Sequence, residues 1–149
     1  MSQYASEMLS ADEVVALWSE IRPLLAESVL GNELTAHSLT PEHILGLVAV
    51  GECGIVGFFE SGRLSLVLAI QFSQEGADLV ATILAFAGRD MLLFKRLYWN
   101  YVTDWLAANG VSYIETLANP RMARIFKNKF GFSQSSVCLR KPLKEFNHG

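Results

Sequence analysis

The stretch that decides the fold runs from residue 79 to residue 117: LVATILAFAGRDMLLFKRLYWNYVTDWLAANGVSYIETL. Leu79–Phe86 is short and almost continuously apolar, the pattern of a strand covered on both faces. Beyond Gly88 the period lengthens. Leu93, Phe94, Leu97, Tyr98, Tyr101, Val102, Trp105 and Leu106 recur every three or four residues, and Lys95, Arg96, Asn100, Thr103 and Asp104 take the opposite side. The spacing predicts a long helix over Met91–Ala108, ended by Gly110 as a left-handed cap. Val111–Leu117 reads as the next strand. A strand–helix–strand unit of this kind crosses over right-handed and leaves its two strands parallel.

Upstream, two more strands are expected. Ile55–Glu60 and Leu64–Phe72 flank a Ser61-Gly62 turn, and Gln74–Gly76 turns the chain into Leu79. Links this short make an antiparallel meander. Before it come two helices. Ser10 and Glu13 form a capping box, with Leu9 stapling onto Val14. Val14, Leu17, Trp18, Ile21, Leu24 and Leu25 continue the apolar stripe, with Pro23 predicted to kink it. After a polar connection over Gly31–Ser38, Thr40 caps a second helix that has Pro41 at its first position and ends near Gly51. Downstream, Asn119-Pro120 opens a short helix through Met122, Ile125 and Phe126. Ser135–Arg140 reads as a last strand, and residues 144–149 as a frayed tail.

The order is therefore α-α-β-β-β-α-β-α-β. It predicts one mixed α/β domain over residues 1–149, with its core at about 10–143 and a mixed sheet of about five to six strands with helices on both faces. The chain has 149 residues, 51% of them hydrophobic and 18% charged, which excludes a disordered chain. A net charge of −3 offers no general attraction to nucleic acid or anionic membrane. The longest apolar runs fall short of the ~20 residues a membrane helix needs. MSQYASEML does not have the form of a signal peptide, and Cys53 and Cys138 read as free thiols, so a cytoplasmic chain is expected. His37, His43 and His148 have no metal-ligand spacing, and no metal is expected. Trp99 lies off the stripe of the long helix and reads as a candidate partner-binding residue.

This order resembles the GNAT superfamily of N-acetyltransferases, and so do three local segments. Asn119-Pro-Arg-Met-Ala-Arg-Ile-Phe-Lys-Asn-Lys-Phe-Gly-Phe132 is similar to the family's N…A…Y-x-K-x-G-F region. Trp105-Leu-Ala-Ala-Asn-Gly110 is similar to the end of its main helix, and Arg140-Lys-Pro-Leu143 to its terminal segment. The likeness covers about Thr40–Leu143. It is especially close to the short, divergent GNAT-like proteins of tailed bacteriophages, some related to internal virion components.

The resemblance implies an acetyl-CoA-dependent N-acyltransferase acting on an amine in the bacterial host cytoplasm. It also admits a catalytically silent assembly protein inside a phage particle, whose partners would be virion proteins or further copies of itself. In the family, backbone amides at the start of the main helix hold the coenzyme's pyrophosphate through a Q/R-x-x-G-x-G/A pattern. Carried over residue by residue, this implies Gly88, Arg89, Asp90 and Met91 as the coenzyme site. Leu92 and Phe94 then stand where the family keeps small residues, and Asp90 adds negative charge. Two readings stay open there: a rebuilt anion site, or an ordinary strand-to-helix turn. Asn119, Arg124 and Lys127 lie in the region implied to meet the nucleotide, though Lys127 also replaces the family's acidic Tyr. Glu115 is the candidate base and Tyr113 a substitute acid, with Tyr113, Tyr98 and Tyr101 otherwise reading as core. The basic residues Arg121, Arg124, Lys127 and Lys129 lack an interleaved aromatic platform, so nucleic acid is not an expected partner.

Overall fold

The computed structural model describes residues 3–30, 39–135, 139, 141 and 143. Strand β1 (Tyr4–Leu9) leads into helices α1 (Ala11–Ala16), α2 (Trp18–Leu30) and α3 (Pro41–Ala49). Strands β2 (Cys53–Glu60), β3 (Arg63–Glu75) and β4 (Asp78–Gly88) follow, then α4 (Met91–Ala108), β5 (Val111–Thr116) and α5 (Pro120–Lys129). The described strands form a five-stranded sheet in the order β1-β2-β3-β4-β5. All neighbours are antiparallel except β4 and β5, which the α4 crossover makes parallel. The fold is thus the mixed α/β sheet that the sequence predicts.

The alternation of each strand divides the molecule into two cores. On one face Ile55, Val67, Ala69 and Ala85 pack under Val14, Ile21, Leu25, Ile44 and Val48 of α1–α3. On the other, Val56, Phe58, Leu66, Leu68, Ile70, Ile83 and Phe86 meet Phe94, Trp99, Val102 and Leu106 of α4 and Phe126 and Phe130 around α5. The inner strands are buried on both sides, which is why their sequences read as apolar runs. Local signals set the ends. Ser10 Oγ accepts from the Glu13 N–H at 3.1 Å, and the Ser10 N–H donates to Glu13 Oε1 at 2.9 Å. Thr40 caps α3 through the His43 N–H, and Asn119 caps α5 through the Met122 N–H. Ser61 and Gly62 both take positive φ, the conformation that a tight hairpin demands.

Four expectations need correction. The order does not begin with a helix: Tyr4–Leu9 is a strand, so the core starts ahead of residue 10. Its sequence hides this because it is an edge strand that fully buries only Leu9. The first helix breaks at Leu17, not at Pro23, which lies inside α2. Trp99 is buried, with its ring 4.9 Å from Phe130 in an edge-on contact, because α5 covers that flank of α4. The opposite flank, Leu97, Tyr101 and Trp105, faces solvent, as does Tyr113 on β5; Tyr101 and Tyr113 are not core residues. The polar connection at 31–38 with His37, most of the strand expected over Ser135–Arg140 with Cys138, and the tail at 144–149 with His148 lie outside the described residues.

Candidate functional site: a slot between two parallel strands

β4 and β5 part company midway. Their pairing runs from Leu79 opposite Val111 to Ile83 opposite Thr116 and stops there, while β4 continues to Gly88. The cause lies one residue further on. Ile83 stands opposite Ile70 and Ala85 opposite Ala69, so Leu84 is an extra residue on β4 with no counterpart in β3. A bulge of this kind bends its strand and sharpens the twist. β5 ends at Thr116, and the chain turns through Leu117 and Ala118 into α5.

The divergence leaves a cavity of ≈ 50 Å³. Ile83, Leu84, Ala85 and Phe86 form one wall, and Thr116, Leu117, Ala118 and Asn119 the other. Met122 and Phe126 of α5 and Ser28 of α2 complete the lining. Thr116 Oγ1 donates to the Ile83 carbonyl at 3.0 Å, closing the end where the strands still pair. The Phe86 N–H donates to Ser28 Oγ at 3.0 Å. That amide therefore points away from β3, toward the side that β5 has vacated.

Beyond the residues that line the slot, β4 runs on to the Gly88–Asp90 turn into α4, which is firmly held. Ser65 is itself an extra residue on β3, since Phe58 pairs Leu66 and Phe59 pairs Leu64. Its carbonyl accepts the Arg89 N–H at 2.8 Å, and its hydroxyl donates to the Arg89 carbonyl at 3.3 Å. Gly88 has φ +133, and a Cβ there would lie 2.3 Å from the Ser65 carbonyl oxygen. The glycine is thus required by the approach of β3. Asp90 is left-handed (φ 63, ψ 36), and its side chain makes no capping bond to α4. The first amides of α4 have no intrahelical carbonyl to reach. The two bulky residues expected to obstruct this turn take different directions. Phe94 is turned into the core against Phe58 and Phe86, and Leu92 points outward at 54% exposure.

The candidate residues do not all reach the slot. Gly88, Arg89, Asp90 and Met91 form the turn beyond its lining, with the Arg89 and Asp90 side chains exposed. Asn119 lines the slot directly. Arg124 and Lys127 lie on the exposed face of α5, where Lys127 Nζ donates to Gln134 Oε1 at 3.3 Å. Glu115 and Tyr113 do not line the slot: Ile114 packs toward α4 and α5, and alternation sends its two neighbours to the other face, where both are exposed. Sequence reasoning missed Ser28, Thr116 and Ser65. Only Ser28 left a signal, as a hydroxyl on the helical stripe of Ile21, Leu24 and Leu25.

Two further groups lie away from the slot. Cys53 is buried, and that burial pushes its thiol up to about 12. Arg22 and Glu42 pair at 2.7 Å across α2 and α3, and the Arg22 hydrogen bond holds the Glu42 carboxyl below its ordinary range. Among the described residues no group of His, Cys, Asp and Glu could hold a metal ion, and no helix is long and apolar enough to cross a membrane.

No family model matches the chain, and no curated protein does so by sequence. Solved structures match over nearly the whole length. An aminoglycoside acetyltransferase from an uncultured soil metagenomic sample superposes with a TM-score of 0.68 at 19% identity, covering 97% of this chain and 100% of its own. A second, also from an uncultured soil metagenomic sample and solved with sisomicin, gives 0.67 at 14%, covering 95% and 97%. Glucosamine-6-phosphate N-acetyltransferase from Arabidopsis thaliana gives 0.60 at 17%, covering 95% and 99%. The chain has the GNAT-like fold of these acetyltransferases.

Proposed function

We propose that the chain is an N-acyltransferase that takes an acyl group from acetyl-CoA and passes it to an amine. The observation that carries this reading is the slot opened by the Leu84 bulge between β4 and β5, along the strand that runs on into the first turn of α4. The acetyltransferases that share the fold support it.

The residues present fit the coenzyme. An extended ligand with amide groups can lie along the free edge of β4 as an added strand does, its carbonyls accepting outward N–H groups such as that of Phe86. At the end of β4, the first amides of α4 suit a pyrophosphate, with Arg89 as the neighbouring cation and Gly88, Asp90 and Met91 shaping the turn. Asn119, Arg124 and Lys127 on the α5 side are assigned to the nucleotide end.

Acetyl-CoA, when bound, supplies an acyl group already activated as a thioester. The chain's own part is to orient that carbonyl on the β4 backbone, exclude water with the apolar walls of Ile83, Met122 and Phe126, and move the amine's proton. No residue lining the slot is titratable. The proton is therefore assigned to groups just beyond it on β5, with Glu115 as base and Tyr113 as acid.

Calorimetric titration with acetyl-CoA tests the reading. Saturable binding in the micromolar range supports it. No heat and no thermal shift at millimolar ligand would leave the silent assembly protein, of phage type or otherwise, as the better account.

A further inference from the structure

The slot is closed by a residue of its own chain. The Phe86 N–H is an outward amide of β4 beyond the last β5 pair, and Ser28 Oγ already accepts it at 3.0 Å. Ser28 comes from the last turns of α2 and projects from that helix's buried stripe. The position otherwise calls for an apolar side chain, yet it carries a hydroxyl aimed at a backbone amide. The bond keeps the amide satisfied in the absence of ligand, where a half-buried orphan would be costly. It also fills the place that a ligand carbonyl must take. The remaining cavity is ≈ 50 Å³, far below the roughly 300 Å³ or more of a small-molecule pocket.

We infer that Ser28 is a displaceable stand-in for the ligand. Its hydroxyl holds the Phe86 amide until a carbonyl of the entering acyl-CoA replaces it, so ligand uptake and withdrawal of the α2 turn are one event. This rests on the acyl-CoA reading and names the residue that sets its affinity. Ser28 competes with the ligand, so removing the hydroxyl weakens the empty chain and strengthens the complex. A merely structural hydroxyl would do only the first, and a ligand-binding hydroxyl would do the reverse of the second.

The experiment compares wild type, Ser28→Ala, Ser28→Cys and Ser28→Thr by calorimetry with acetyl-CoA and by hydrogen exchange at the Phe86 amide. Cysteine keeps the shape with a much weaker acceptor and covers the case in which alanine does not fold. The expected result is a lower melting temperature and faster Phe86 exchange in the empty Ala and Cys variants. Acetyl-CoA restores protection and binds about three- to tenfold more tightly than to wild type, the return on one neutral hydrogen bond no longer displaced. Ser28→Thr, which keeps the hydroxyl, behaves as wild type. Binding by wild type with unchanged or weaker affinity in both the Ala and Cys variants overturns the inference alone. Binding by those two variants but not by wild type supports it in its strongest form. Silence in all four proteins overturns it together with the acyl-CoA reading.

Discussion

Thr116 Oγ1 donates to the Ile83 carbonyl at 3.0 Å, and these two residues are also the last pair that β4 and β5 make. Just past them Leu84 has no counterpart on β3, and the two strands separate. One hydroxyl thus pins the floor of the slot at the point where the bulge begins to open it. Thr116→Val keeps the shape and removes this bond, leaving the Ile83 carbonyl short of a partner. A loss of about 1 kcal/mol in urea unfolding is expected, with weaker acetyl-CoA binding because the slot's end is no longer fixed.

Gly88 cannot carry a side chain. A Cβ there would lie 2.3 Å from the Ser65 carbonyl oxygen and 2.5 Å from Leu66 Cα, both of them backbone. Gly88→Ala should cost about 3 kcal/mol or more, through forced separation of β3 from the turn and the positive φ. Thermal melting reads the loss, and a stability close to wild type would contradict the geometry.

The β4–α4 turn has two exposed side chains of opposite charge, Arg89 and Asp90. If the pyrophosphate lies there, Arg89→Ala weakens acetyl-CoA binding and Asp90→Asn tightens it, each by about two- to fivefold at low salt. Both effects shrink as salt is raised. Affinities that ignore both substitutions would move the phosphates elsewhere.

Glu115 and Tyr113 are exposed on β5, and the slot's lining holds no titratable group. As base and acid, their loss in Glu115→Gln and Tyr113→Phe should lower kcat by about a hundredfold with little change in melting temperature. Rates unchanged in both would mean that water carries the proton.

Cys53 offers a test independent of the site. Burial holds its pKa in the folded chain at about 12, above the unfolded value, so the unfolded chain loses this proton first as pH rises. Stability should therefore fall as pH climbs above about 9, by up to about 1.4 kcal/mol per pH unit from this residue. Cys53→Ala should remove that part of the slope. The native thiol should also resist alkylation at pH 8 until urea is added.

Much of this arrangement is legible in the sequence, for local reasons. Met91–Ala108 has its predicted bounds because a long apolar period, a turn before it and Gly110 after it all agree. Thr40 and Asn119 announce α3 and α5 by their capping side chains. Tyr4–Leu9 escapes notice because an edge strand need not alternate cleanly. Trp99 and Tyr101 are read the wrong way round because α4 shares one flank with α5, and helical period alone cannot say which flank is covered. The slot itself depends on Leu84, an ordinary apolar residue in an apolar run. Nothing in Ile83-Leu84-Ala85 marks a bulge, which follows from the register of β3 against β4.

Whether the slot takes the coenzyme is read by following backbone amides in NMR spectra as acetyl-CoA is added. Shifts confined to Ile83–Leu93 and Thr116–Ala123, largest near Phe86 and the first turn of α4, are the expected result. Shifts centred on α1 or α3, or a spectrum unchanged at millimolar coenzyme, would contradict a coenzyme slot between β4 and β5.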